Sequence, residues 1–69
     1  MTKEITRRIA AAYARGVYEQ SAEFTTADTG KPNAMDLATL AVTAKDKAEE
    51  EYDVRIRMIC DEDDNWSFE

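Results

Sequence analysis

The stretch Thr25-Thr26-Ala27-Asp28-Thr29-Gly30-Lys31-Pro32-Asn33 divides the chain, because β-branched residues, a glycine and a proline gather there and interrupt any helical pattern. It reads as a loop over residues 25–33 in which the chain reverses. Asn33 can cap a helix that follows, and Asp36, three positions on, places a carboxylate by the exposed amides and positive dipole end of its first turn.

Beyond this loop Leu37, Leu40, Ala41, Ala44, Ala48, Tyr52, Arg55, Met58 and Ile59 recur at i, i+3, i+4, i+7 spacing with no glycine or proline among them. The spacing predicts one helix over about 34–61, ending in an acidic-aromatic tail over about 62–69. Before the loop, Ile5, Ile9, Ala12, Tyr13, Gly16, Gln20 and Phe24 form a similar stripe, which predicts a helix over about 3–24 with Thr2 as its cap. At 1.5 Å per residue the second helix would extend roughly 40 Å against about 30 Å for the first, leaving its end uncovered within one chain. A weaker second stripe, Met35, Ala38, Val42, Ile56 and Cys60, widens the apolar face of helix 2 beyond what one neighbour needs. The expected fold is therefore all-α: a two-helix hairpin, a single domain over residues 1–69, that homodimerises into a four-helix arrangement.

Composition agrees with that expectation. A chain of 69 residues buries too small a share of its surface to be comfortably stable alone, so some further support is expected. Cys60 is the single cysteine and histidine is absent, so neither an internal disulfide nor a Cys/His zinc site can be built. Oligomerisation remains. Within the stripes, the alanines at 41, 44 and 48 invite close packing, and Gly16 reads either as a point of close backbone approach or as a tolerated weak spot. Arg55 reads either as a dimer-edge residue paired with a glutamate of the other chain or as a stem packed on the core with its guanidinium in water.

The formal charge is −6, and it is uneven: residues 25–69 carry five Lys/Arg against twelve Asp/Glu, a net of −7. That balance disfavours direct contact with nucleic acid or an anionic membrane and favours a basic protein surface as partner, although acidity also simply keeps small proteins soluble. No apolar run reaches the roughly 20 residues that cross a bilayer, and the start lacks a secretory signal pattern, so a cytosolic location is expected.

Catalytic chemistry finds no support. The commonest general base, histidine, is missing, and Ser21 and Ser67 stand in no nucleophile motif. Gly30-Lys31 lacks the earlier glycine and the leading strand of a phosphate loop. Asp61-Glu62-Asp63-Asp64 lacks the spaced ligands and central glycine of a calcium loop, so no cofactor or metal is expected. This run followed by Trp66 and Phe68 suits a basic groove on a partner, while the same aromatics could equally fold back to close the core. On helix 1 the face opposite the stripe carries Arg7, Ala11, Ala14, Arg15, Tyr18 and Ala22, either a second docking strip built on Arg7, Arg15 and Tyr18 or a solvated face.

With its Ile5-Thr6-Arg7-Arg8-Ile9-Ala10-Ala11-Ala12-Tyr13 segment, Gly-Lys-Pro-Asn turn and long Ala/Glu-rich helix, this acidic chain resembles, along its full length, the small anti-quorum-sensing proteins of temperate Pseudomonas phages. The resemblance implies a homodimeric, all-helical phage protein that binds the DNA-binding domain of a host quorum-sensing activator. It further implies inhibition of the ATPase that drives type IV pilus assembly. No shared motif fixes a residue correspondence, so no site residue is carried over. Two other classes fit the same pattern: an acidic inhibitor of a nucleic-acid-binding defence complex of the CRISPR-effector kind, and a small structural dimer.

Overall fold

A computed structural model describes residues 3–69. Two helices, α1 (Lys3–Thr29) and α2 (Ala34–Tyr52), are followed by two short strands, β1 (Met58–Cys60) and β2 (Trp66–Phe68), paired antiparallel. The two-helix expectation holds, while the all-α expectation is corrected by this small sheet. The expected cap on Thr2 lies outside the described residues.

α1 runs through the segment expected to be loop. Its threonines find helical partners: the hydroxyls of Thr25, Thr26 and Thr29 donate back to the carbonyls of Ser21, Ala22 and Thr25 at 2.9, 2.9 and 3.1 Å. Such back-bonding satisfies the hydroxyl inside the helix, which β-branched residues then tolerate. The helix stops only at Gly30, whose φ of 94° is one that side-chain-bearing residues rarely adopt. The loop is thus confined to residues 30–33. α2 begins as read from the sequence: the Asn33 side chain accepts from the Asp36 amide at 2.8 Å, and the Asp36 carboxylate accepts from the Asn33 amide at 3.4 Å.

α2 ends some nine residues earlier than the expected boundary near 61. Glu49, Glu50 and Glu51 crowd the negative end of its dipole, and Asp53 takes a left-handed conformation (φ 52°, ψ 48°) that closes it. From Val54 the pattern changes period. Val54, Ile56 and Met58 turn inward, with Ile56 buried, while Arg55, Arg57 and Ile59 are exposed, an alternation of two that belongs to extended chain. The hairpin pairs Met58 with Phe68, Ile59 with Ser67 and Cys60 with Trp66, and Arg57 and Glu69 exchange both backbone hydrogen bonds at its open end (2.9 and 3.0 Å). An overshooting helix 2, the main premise for the four-helix arrangement, is therefore absent, since residues 53–69 fold back onto their own chain.

The core is built almost wholly of alanine. Ala10 and Ala14 of α1 meet Ala41, Ala44 and Ala48 of α2, Tyr18 and Ile56 complete this cluster, and Ala11 is buried beside it. Leu37, Leu40, Tyr52 and Met58 pack at its margin, half-buried, and Tyr13 meets Tyr52 edge to face with ring centroids 5.6 Å apart.

The helix 1 stripe read from the sequence does not form the core of this chain. Ile5 and Ile9 are 47% and 42% exposed, Phe24 is 74% exposed and Gly16 is exposed, whereas the row one residue later, through Ala10, Ala14 and Tyr18, is buried. A one-residue offset rotates the face by about 100° on a helix of 3.6 residues per turn. The cause is packing distance: alanines on both helices let the backbones approach closely, and this outweighs the pull of the larger isoleucines. Arg55 and Ile59, read as continuing the helix 2 stripe, lie beyond the end of the helix and are exposed. Around Gly16 an added Cβ would meet nothing within 4 Å among the described residues outside its own helical turns, so no other element packs closely against it.

Candidate functional site

Both proposed binding elements of the sequence reading lie on or beside the hairpin. Asp61 to Asp64 form its turn. The Asp61 amide donates to the Asn65 carbonyl at 3.0 Å and the Asp64 amide to the Asp61 carbonyl at 3.2 Å, leaving a three-residue loop whose last residue, Asp64, is left-handed (φ 62°). A turn followed by one left-handed residue is a common three-residue hairpin connection. The Asp61 carboxylate builds it from within, accepting from the amides of Asp63 and Asn65 at 2.8 and 3.0 Å. The carboxylates of Glu62, Asp63 and Asp64 stand exposed. The acidic run, expected as part of a tail, is a defined loop.

Trp66 and Phe68 turn inward. Phe68 meets Tyr18 edge to face at 5.9 Å, and both aromatics pack on the core cluster. Of the two readings of the tail, folding back is the one realised, and Tyr18, a candidate docking residue, is instead its buried receptor at 5% exposure. Arg7 and Arg15 of the same strip remain exposed, with Arg15 bonded to Glu19 at 2.9 Å.

The Tyr18 hydroxyl is buried without a hydrogen-bond partner among the described residues. Burial raises its pKa above the usual phenol value; the nearby Trp66 amide opposes the rise without reaching hydrogen-bonding geometry, and Cys60 and Asp61 add to it. Cys60 is exposed, yet local desolvation and the carboxylates of Asp64 and Asp61 raise its thiol pKa too. Both effects favour the neutral thiol over the thiolate, the form that acts as nucleophile.

One residue that the sequence reading passed over holds the hairpin in place. Glu49 accepts from the Ile56 amide at 2.9 Å through one carboxylate oxygen and pairs with Lys45 at 3.0 Å through the other. Burial alone would raise its pKa; the Ile56 amide, Lys45 and Arg55 outweigh that and bring it below the ordinary value. Its signal in the sequence was faint, a glutamate seven positions before a β-branched residue just past a helix end.

A cleft of about 560 Å³ runs beside the hairpin, walled by Arg7, Arg8, Arg15 and Arg57 with Glu4 and Glu69, over a floor that includes Ala11 and Phe68. A smaller cleft of about 330 Å³ joins Arg15 and Glu19 to the acidic turn at Asp61 and Asn65. Among the described residues no group of three or more His, Cys, Asp or Glu converges to hold a metal ion, and no helix is long and apolar enough to cross a membrane. No protein-family model matches the chain, and neither a curated protein nor a solved structure matches it.

Proposed function

We propose that this chain is a protein-binding inhibitor without catalytic activity, which docks its acidic turn on a basic surface of a macromolecular partner. The observation that carries this reading is the turn itself: Glu62, Asp63 and Asp64 project from a loop whose shape is set by the Asp61 carboxylate and by the hairpin behind it. A preordered set of charges loses little entropy on binding, and complementary charge accelerates encounter with a basic partner. Ile59, 43% exposed beside the turn, adds an apolar contact at its edge.

The resemblance to phage anti-quorum-sensing proteins nominates the partner: the DNA-binding domain of a quorum-sensing activator, whose DNA-contacting surface is basic, with the pilus-assembly ATPase as a second target. Occupying a DNA-contacting surface with carboxylates blocks promoter binding by direct competition. The test is displacement of promoter DNA from such a domain, comparing the wild-type chain with Glu62→Gln/Asp63→Asn/Asp64→Asn. At fixed salt the wild type is expected to displace DNA, and the neutralised variant to need at least about tenfold more protein. Equal displacement by both would remove the turn from the account.

A second reading, a structural self-associating protein, draws on the size of the core. Among the described residues no side chain larger than alanine is fully buried, and the accessible surface of 5183 Å² exceeds the roughly 4,400 Å² usual for a folded monomer of this mass.

A further inference from the structure

We propose that the arginine cleft beside α1 is a docking site for the acidic turn of a second copy of this chain, in a two-fold exchange in which each turn enters the other's cleft. Four of the nine Lys/Arg residues of a −6 chain wall this one cleft, against Glu4 and Glu69. Arg8 and Arg57 are each paired, with Glu4 at 3.1 Å and Glu69 at 2.6 Å, but Arg7 makes no ion pair or hydrogen bond among the described residues. The cleft is left with a net positive charge and one unpaired guanidinium, facing solvent over the apolar atoms of Ala11 and Phe68. Guanidinium forks are suited to carboxylate pairs.

The occupant is indicated by the same face of the molecule. Arg15 lines this cleft and also the smaller one that reaches Asp61, so the positive site and the acidic turn lie side by side. A surface that carries both halves of a charge pair in adjacent positions is self-complementary under a two-fold axis, the symmetry of most homodimers. From Glu4 to Arg15 the cleft follows α1 for roughly 16 Å, enough for a four-residue turn. Such a dimer would cover the turn that the proposed function assigns to a target, so self-association and target binding would compete. The inference rests on that reading only for this consequence; the contact itself does not depend on it.

Salt distinguishes this contact from any dimer built on apolar surface. Two chains of −6 repel each other, and screening relieves that repulsion, so an apolar dimer tightens as salt rises, whereas a cleft-to-turn dimer loosens. The experiment is sedimentation equilibrium of the purified full chain, with no target present, at low and high NaCl. The variants are Arg7→Glu/Arg8→Glu and Glu62→Lys/Asp63→Lys, both checked for wild-type helical circular dichroism. Expected are self-association of the wild type that weakens at least tenfold at high salt, a similar loss in each variant alone, and recovery on mixing the two, whose reversed charges match. A wild type that stays monomeric at millimolar concentration, association that strengthens with salt, or folded variants that fail to recover on mixing would each overturn the proposal. Because no target enters the measurement, its failure leaves the inhibitor reading standing.

Discussion

Replacing Glu49 by alanine tests how the hairpin is held to the helices. The side chain is largely covered, 22% exposed beside a Lys45 at 28%, and it accepts the Ile56 amide at 2.9 Å where the chain leaves α2. A hydrogen bond to a charged acceptor contributes about 1.5–3 kcal/mol, and an i, i+4 ion pair adds about 0.3–0.5 kcal/mol. Glu49→Ala should therefore cost about 2–3 kcal/mol, a large share of the roughly 3–10 kcal/mol expected of a 69-residue domain. For a chain this small each kcal/mol moves Tm by about 7 °C, so thermal unfolding followed by circular dichroism should show a fall of about 15–20 °C. Glu49→Gln keeps an acceptor for the amide but loses the charge, and should cost about 1 kcal/mol. The folded pKa of Glu49 lies below its unfolded value, so its contribution is present above the unfolded carboxylate range and is lost as pH falls through that range to the lowered folded pKa. The Gln variant should lack this part of the acid dependence. A Tm for Glu49→Ala within about 2 °C of wild type would refute the latch.

Other outcomes follow from the same structure. Tyr18→Phe removes a buried, unpartnered hydroxyl and should leave stability unchanged or raise it by up to about 1 kcal/mol in urea unfolding; a loss of that size would mean the hydroxyl has a partner. Ala44→Leu overfills the alanine interface and should cost about 1–3 kcal/mol, whereas Ile9→Gln on the outer face of α1 should stay within about 0.5 kcal/mol; the reverse order would restore the isoleucine stripe as core. Alkylation of Cys60 at mildly alkaline pH should be slower than for a free thiol and should quicken in Asp64→Asn, which suits the same left-handed turn position but removes one of the charges that raise the thiol pKa. An unchanged rate would dissociate the thiol from its acidic neighbours.

Those features that depend on local chemistry were legible in the sequence. Asn33 and Asp36 announced the start of α2, and the alanines at 41, 44 and 48 marked its buried face, because a capping box and an i, i+3, i+7 row of small residues have few other readings. Where two periods overlap, the folded chain takes the shorter one. Tyr52, Arg55, Met58 and Ile59 satisfy a helical period, yet Val54, Ile56 and Met58 satisfy a period of two, and the glutamates at 49–51 with the turn-forming run Asp61–Asn65 decide for strand. On α1 the large side chains of Ile5 and Ile9 outweighed alanines in the reading, while in the folded chain close approach of backbones favours the alanines. Of the candidate site, the acidic run was evident as composition, but its shape was not, because that shape depends on a hairpin formed with residues 66–68. The arginine cleft was not foreseeable at all, since Arg57 comes to Arg7 and Arg8 only through the fold-back of the C-terminal segment.

Paired affinity capture reports whether the acidic turn docks a basic protein. Tagged wild type and the Glu62→Gln/Asp63→Asn/Asp64→Asn variant, both verified as folded, are used as baits in the same bacterial lysate and their captured proteins quantified by mass spectrometry at low and at raised salt. A basic protein should be enriched by the wild type at low salt, and lost both with the variant and with salt. The same partner held equally by both baits would contradict it.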